Sequence, residues 1–476
     1  MKKMMKLIAL AAMVLMFTGI FVMPAAAVQF EFHGDMNHRF LLGTNHNEFI
    51  SSLDKYDGVI NKDGVDDNFA EIKYRFWFEA ASDDNSYKGV FATEIGGLRF
   101  GEKSKLDYSG DDIRMEVRWA YFDFQLPFAE QKSRVRMGLQ PININRFLWK
   151  ETVGGVKWYG NQCGYGYELG WLRGYEADVT KDDNEDLMND QDALYGKLNI
   201  KPADGMGLGF LGIYQWNNID DEDPAQANNT LSPHNYEFKK FANDTNIDIQ
   251  LFTLGVDGSF KRDAFFAKWD LMYQTGSLDQ LIYQDLDLNS NPIDDYDVDA
   301  WFVHADLGIN MGKCTLTYTG WYASGDDDPY DDDLEAFMAT DVDIADSAVI
   351  FEGNLVDDNY FTERPYIMDR GFIMNKLNLD YKATSKLKLS LAGMYMLTAE
   401  DLEYHTPDGT QVSEDEIGFE VDARASYKLF KNVKMDLCFG YLFAGDAMDY
   451  FEVDEIQDGD SDEDIWISSM RIRYKF

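Results

Sequence analysis

The chain closes with IWISSMRIRYKF, residues 465–476, where Trp466, Met470, Ile472, Tyr474 and Phe476 share one parity and Arg471, Arg473 and Lys475 the other. Side chains two residues apart lie on the same face of an extended strand, so this segment presents an aromatic and aliphatic face against a basic one. The run covers twelve residues, longer than the five or six typical of strands in soluble domains and close to what a tilted strand needs to cross a bilayer.

The same pattern recurs upstream. In VQFEFHGDMNHRFLLGT, Val28, Phe30, Phe32, Met36, Phe40 and Leu42 alternate with Gln29, Glu31, Asp35, Asn37 and Arg39. In KLKLSLAGMYML, Leu387, Leu389, Leu391, Tyr395 and Leu397 oppose Lys386, Lys388 and Ser390; in EIGFEVDARASYKLF, Ile417, Phe419, Val421, Ala423, Ala425, Tyr427 and Leu429 oppose Glu416, Glu420, Asp422, Arg424 and Lys428. Long strands of period two favour an all-β, antiparallel transmembrane barrel whose apolar face meets lipid. A soluble sandwich, as in a surface-layer or adhesion protein, also alternates.

Connection lengths separate the two. Residues 383–385 and Lys431 form short connections, whereas 400–415 and 447–463 are long. The short connections carry Lys431, Lys313 and Lys201. Residues 325–370 hold 15 acids against two arginines, and 447–463 hold eight acids and no base. Short turns at one end and long loops at the other are the asymmetry of outer-membrane barrels, with the long loops outside the cell.

Strand-like segments fall near 28–44, 69–80, 87–99, 113–126, 134–141, 164–177, 193–201, 207–217, 245–257, 263–275, 297–311, 314–324, 371–383, 386–398, 416–430, 432–446 and 464–476. Seventeen strands violate the even count of a single-chain bacterial barrel. Counting back from the C-terminus puts the acidic stretch 178–192 outside the cell, while counting forward puts it in the periplasm. A strand is therefore missing between Gly138 and Cys163, and ETVGGVKWYG (residues 151–160) supplies it, giving eighteen strands with sixteen as the alternative.

The closing strand resembles that of Gram-negative outer-membrane proteins, in which an alternating aromatic pattern ending in Phe is the signal for the barrel-assembly machinery; Tyr474 and Phe476 occupy those positions. The stretch RVRMGLQPININRF, residues 134–147, is similar to the Gly-Gln-x-Pro region of anion-selective porins, though with different spacing, and in that family a pore-narrowing loop lies nearby. The resemblance implies an outer-membrane porin with lipopolysaccharide and outer-membrane lipids around it and a homotrimeric assembly.

Lys2, Lys3 and Lys6 before the apolar run Leu7 to Met23, then Pro24 and Ala25-Ala26-Ala27, read as an export signal cleaved after Ala27. Residues 28–476 then form a single barrel domain. No later stretch has the roughly 20 apolar residues of a spanning helix. The net charge of −42 excludes nucleic acid as a bulk-electrostatic partner. Three cysteines, Cys163, Cys314 and Cys438, form no disulfide framework and offer neither haem-attachment nor zinc spacing. No cofactor and no metal are expected. The acidic runs Asp326-Asp327-Asp328 and Asp331-Asp332-Asp333, with Asp458, Asp460, Asp462 and Asp464, lack the Gly and twelfth-position Glu of an EF-hand and read as solvated loops.

With apolar faces outward, the lumen carries Glu71, Lys73, Arg75 and Glu79, then Arg114, Glu116 and Arg118, then Arg134 and Arg136. Arg75, Arg114, Glu116, Arg118, Arg134 and Arg136 are the pore-lining candidates. A charged interior demands water, because unpaired buried charges each cost several kcal/mol, so the chain reads as a diffusion channel whose wall charges set selectivity. Pairing of those arginines with neighbouring carboxylates is the competing expectation. Trp216, Trp321, Tyr322, Tyr381, Trp466 and Tyr474 are expected in the interfacial girdles. The six histidines form no catalytic pattern, and no enzyme is expected. A barrel sheathing a haem protein, as in porin–cytochrome conduits, is the alternative function.

Overall fold

The computed structural model describes residues 28–44, 67–101, 115–127, 133–175, 191–218, 248–279, 295–328, 331–342, 344–351, 365–367, 369–406, 409–450 and 464–476. The export signal and the acids at 458, 460 and 462 lie outside them, as does Arg114. Among the described residues no helix is long and apolar enough to cross a membrane.

Eighteen long antiparallel strands follow one another in sequence order: β1 (Val28–Thr44), β2 (Asp67–Ser82), β3 (Tyr87–Arg99), β4 (Glu116–Gln125), β5 (Ser133–Pro141), β6 (Thr152–Gln162), β7 (Tyr165–Tyr175), β8 (Gln191–Ala203), β9 (Met206–Asn218), β10 (Asp248–Arg262), β11 (Phe265–Asp279), β12 (Asp295–Met311), β13 (Cys314–Ala323), β15 (Phe372–Lys382), β16 (Leu387–His405), β17 (Gln411–Phe430), β18 (Val433–Ala444) and β19 (Ile465–Lys475). The two-residue β14 (Asp333–Leu334) only bridges to β12. β1 pairs with both β2 and β19, so the sheet closes on itself. Closure satisfies every edge, which a lipid environment requires. The strand missing from the periodicity count is β6, in the place expected for it.

The facing of the strands follows the alternation. Phe30, Phe32, Phe40, Leu42, Leu389, Leu391, Tyr395, Phe419 and Tyr474 are exposed on the outside, while Asp35, Arg39, Asp123, Glu420 and Asp422 are buried on the inside. Three expectations need correction. Trp321 does not join a girdle: it is buried in the lumen against Phe147, at 5.2 Å between ring centroids. Ile417 turns inward, because the register skips it between Glu416 and Gly418, and Gly418 at φ 130° takes the bend. The stretch 400–415 is no long loop, since β16 runs to His405 and β17 starts at Gln411.

The largest correction concerns the lumen. It is not polar throughout. Between β13 and β15, parts of the acidic stretch 325–370 fold into the barrel and bury Leu334, Ala336, Phe337, Met338, Val349, Ile350, Phe351 and Tyr366 against Phe302, Met272, Phe372, Met374, Met394 and Met396. The acidic composition concealed these apolar residues, and the lumen-facing methionines and Phe302 had been hidden among strand residues with no polar neighbour to oppose.

Candidate functional site

Among the described residues, two inward folds narrow the barrel. The first, residues 142–150 between β5 and β6, makes a tight turn in which Asn145 Oδ1 accepts from the Phe147 amide at 2.8 Å and the Trp149 amide donates to the Asn145 carbonyl at 2.9 Å. It buries Ile142, Ile144, Phe147 and Leu148. The second comprises residues 334–342 and 344–351. They meet in mid-lumen: the Thr340 amide donates to the Leu148 carbonyl at 2.7 Å, the Lys150 amide to the Asp341 carbonyl at 2.7 Å, and Arg146 pairs with Asp346 at 3.4 Å.

Wall residues hold both folds. Gln274 accepts the Met338 amide at 2.8 Å and donates to its carbonyl at 2.9 Å. Gln215 donates to the Thr340 hydroxyl at 3.0 Å. Asn145 donates to Asp270 at 2.7 Å, and Tyr366 to the Phe147 carbonyl at 2.5 Å. Glu420, fully buried, accepts the amides of Ala348, Val349 and Ile350 at 2.8, 2.7 and 3.3 Å. A carboxylate taking three backbone amides is a charge-assisted clamp.

The opposite side of the lumen is basic. Arg134 and Arg136 straddle Asp123, Nε to carboxylate at 2.6 and 2.8 Å, and Tyr159 donates to the same carboxylate at 2.6 Å. Arg136 also lies 4.5 Å over the Tyr121 ring. Glu94 receives Arg75, Lys73 at 3.4 Å and Arg118 at 3.5 Å, and Arg118 reaches Glu151 at 3.3 Å. Asp35 receives Arg473 at 2.7 Å and Lys475 at 3.3 Å.

Arg118 faces the lumen through a local irregularity. The register passes from Ala92–Trp119 to Thr93–Val117, leaving Arg118 as the extra residue of a bulge. Strict alternation from Asp123 would have turned it towards lipid. Glu116, at the start of β4 and opposite Glu94, is exposed; the arginines pair with Glu94, Glu151 and Asp123 instead. Pairing and wall charge therefore coexist. Three cations share Glu94 and Glu151, two share Asp123 and two share Asp35, so each cluster keeps a positive excess.

Across from this wall, β10, β11 and β12 bring Asp257, Asp270 and Asp306 to a cavity of about 680 Å³ beside Arg146, Lys268 and His304. His304 Nδ1 sits 2.8 Å from Asp270, which also takes Asn145 of the first inward fold. These residues were not singled out from the sequence. Each sits at a lumen parity of its strand, but single acids on separate strands carry no local motif, and only the register between neighbouring strands gathers them. Among the described residues no cluster of His, Cys, Asp or Glu has the arrangement of a metal site.

No known family profile matches the chain, and no curated protein resembles it in sequence. Solved structures do resemble it in fold. Three from Pseudomonas aeruginosa are OccK8 (OprE), with TM-score 0.51 and 9% identity over 94% of this chain and 98% of that one; OpdL, with 0.51 and 11% over 94% and 99%; and the outer membrane protein OprD, with 0.50 and 11% over 94% and 93%. Identity so low leaves residue roles to be argued from this chain alone. A closed barrel of eighteen long strands, belted outside by Phe, Leu and Tyr and superposable over nearly its whole length on these proteins, has the fold of the outer-membrane porins and the exterior of a barrel of the bacterial outer membrane.

Proposed function

We propose that the chain is a non-enzymatic outer-membrane channel through which small hydrophilic solutes and ions diffuse, with a preference for anions set at the constriction. The observation carrying this reading is the positive excess on the β2–β5 wall, where Arg75, Arg118, Arg134 and Arg136 stand in clusters that outnumber their carboxylates. Fixed charges lining a narrow, low-dielectric passage select by sign. Homotrimer formation, contacts with lipopolysaccharide and recognition of Tyr474 and Phe476 by the assembly machinery belong to the same reading.

A sheath around a haem protein is less well supported, because such a barrel needs its lumen clear of its own chain, and 142–150 and 334–351 occupy it. Single-channel recording in a planar bilayer under a salt gradient tests the proposal. Ohmic steps with a reversal potential of anionic sign are expected. Silence from a folded barrel would overturn the channel reading, and a cationic sign would overturn the role of the basic wall.

A further inference from the structure

At the short-turn end of the barrel, the connections 311–314, 382–387 and 428–433 lie side by side, because β13 pairs with β15 and β16 with β17. Together they carry five lysines and no acid. Backbone hydrogen bonds tie each to its neighbour: the Lys382 amide donates to the Lys313 carbonyl at 2.9 Å, the Lys428 amide to the Lys386 carbonyl at 2.8 Å, and the Lys475 amide to the Asn432 carbonyl at 3.0 Å. A basic rim thus runs from β12 to β19. Like charges stand face to face on it, since Lys382 is the cross-strand partner of Lys388 and Lys428 that of Lys434, an arrangement that destabilises a hairpin. Asp380 takes Lys388 at 3.0 Å and Asp436 takes Lys434 at 2.7 Å. Lys313, Lys382, Lys386, Lys428 and Lys431 are exposed and make no ion pair among the described residues.

The same strand ends mark the depth of the lipid headgroups. β15, β17 and β19 run out through a repeated Tyr-Lys pair, Tyr381-Lys382, Tyr427-Lys428 and Tyr474-Lys475. All three tyrosines are exposed on the lipid face, and Met311 and Phe430, the latter 72% exposed, stand in the connections themselves. A tyrosine, apolar in its ring and polar at its hydroxyl, settles where hydrocarbon gives way to headgroups. Parity puts Lys382 and Lys428 on the inner side of the rim, whereas Lys313, Lys386 and Lys431 sit in turns, outside the alternation. A lysine stem lies along apolar surface while its ammonium seeks the polar layer, so these lysines reach the level of the phosphates.

We infer that this arc binds the headgroup phosphates of anionic phospholipids and gathers such lipids around the β12–β19 side of the barrel. With the long loops outside the cell, the leaflet concerned is the periplasmic one. An anionic headgroup seated against neighbouring turns relieves the repulsion at 382/388 and 428/434; a zwitterionic one brings no net charge to do so. Each lysine beside an anionic surface favours it by about fivefold, and salt weakens the effect because the site is exposed. The chain as a whole, at −42, repels anionic lipid, so the preference belongs to this arc. It rests on the lipid-facing belt and not on conduction, and a barrel that passes no current leaves it standing.

Electron spin resonance of chain-labelled phosphatidylglycerol and phosphatidylcholine, each a trace component beside the protein in phosphatidylcholine vesicles, measures the lipid immobilised at the barrel surface. At about 0.1 M salt phosphatidylglycerol is expected to be held several-fold more than phosphatidylcholine, and at about 1 M the difference is expected to vanish. Replacing Lys313, Lys382, Lys386, Lys428 and Lys431 together by Gln is expected to abolish the selectivity. Lys201→Gln with Lys261→Gln, in connections that also hold Asp204 and Asp263, is expected to leave it. Equal immobilisation of the two lipids by the native protein would overturn the inference, with no variant needed, and so would selectivity that survives in the five-lysine variant. Inorganic phosphate separates a lipid site from a solute site at the mouth. Phosphate and chloride of equal ionic strength are expected to act alike; loss of selectivity in phosphate alone would make the arc a site for free anions and overturn the lipid assignment.

Discussion

Leu389 and Lys388 are neighbours in β16 that look opposite ways. Leu389 stands on the lipid face, and Lys388 pairs in the lumen with Asp380 at 3.0 Å. A charge at mid-bilayer depth costs about 2–4 kcal/mol, so Leu389→Arg is expected to reduce the heat-resistant folded fraction in a gel-mobility assay far more than Lys388→Leu. Equal effects would mean the facing is wrong. Gly34 makes a sharper case. A Cβ there would run into the Phe476 ring, which lies on β1 with Phe32 at 5.6 Å and Tyr474 at 5.1 Å between centroids. Gly34→Val is expected to lower folding yield about as much as removing Phe476, whereas Gly89→Val, with open space around its Cβ, leaves yield unchanged. Facing at this scale was readable because parity in an extended strand is a local property. At Ile417 local parity misleads, and Arg118 keeps the lumen facing expected of it only through a bulge, since a bulge depends on the neighbouring strand's register.

At the scale of the element, the inward folds were the hardest part to read. Alternation located β6 because a barrel must contain an even number of strands, a topological demand that any sequence has to meet. Nothing similar constrains a loop. Residues 325–370 read as a solvated acidic loop by charge, yet Leu334, Phe337, Val349, Ile350 and Phe351 pack inside, and Asp326 goes in with them. Composition averages over a segment, whereas burial is decided side chain by side chain. The Glu420 clamp offers a direct test of how the second fold is held. Replacement by Ala leaves three backbone amides without their acceptor in a buried site, at about 1–3 kcal/mol for an unsatisfied group. Glu420→Ala is expected to speed exchange of the 348–350 amides by about tenfold or more without unfolding the barrel; unaltered exchange would show that apolar packing alone retains the fold.

At the scale of the whole molecule, the walls of the lumen differ in sign although the chain is acidic overall. The candidates Arg75, Glu116, Arg118, Arg134 and Arg136 came from parity alone. Their partners, Glu94, Asp123 and Glu151, and the facing acids Asp257, Asp270 and Asp306, required the register between neighbouring strands. Replacing Arg118, Arg134 and Arg136 together by Gln is expected to shift the anion-to-cation permeability ratio several-fold towards cations while leaving the strand fold intact by circular dichroism. An unchanged ratio would assign these arginines to wall integrity alone.

The pairing of β1 with β19 has a bearing on how such a chain is made. Gly34 and Phe476 exchange backbone hydrogen bonds at 3.0 Å in each direction, although nearly the whole polypeptide separates them. Contacts so remote in sequence form slowly, and until they form, two strand edges offer themselves to any other extended chain. Strand β19 thus seals the open edge of β1, and without it the ring of strands has no closed form to adopt. The seam between these two strands is therefore a single checkpoint on the closure of the whole ring.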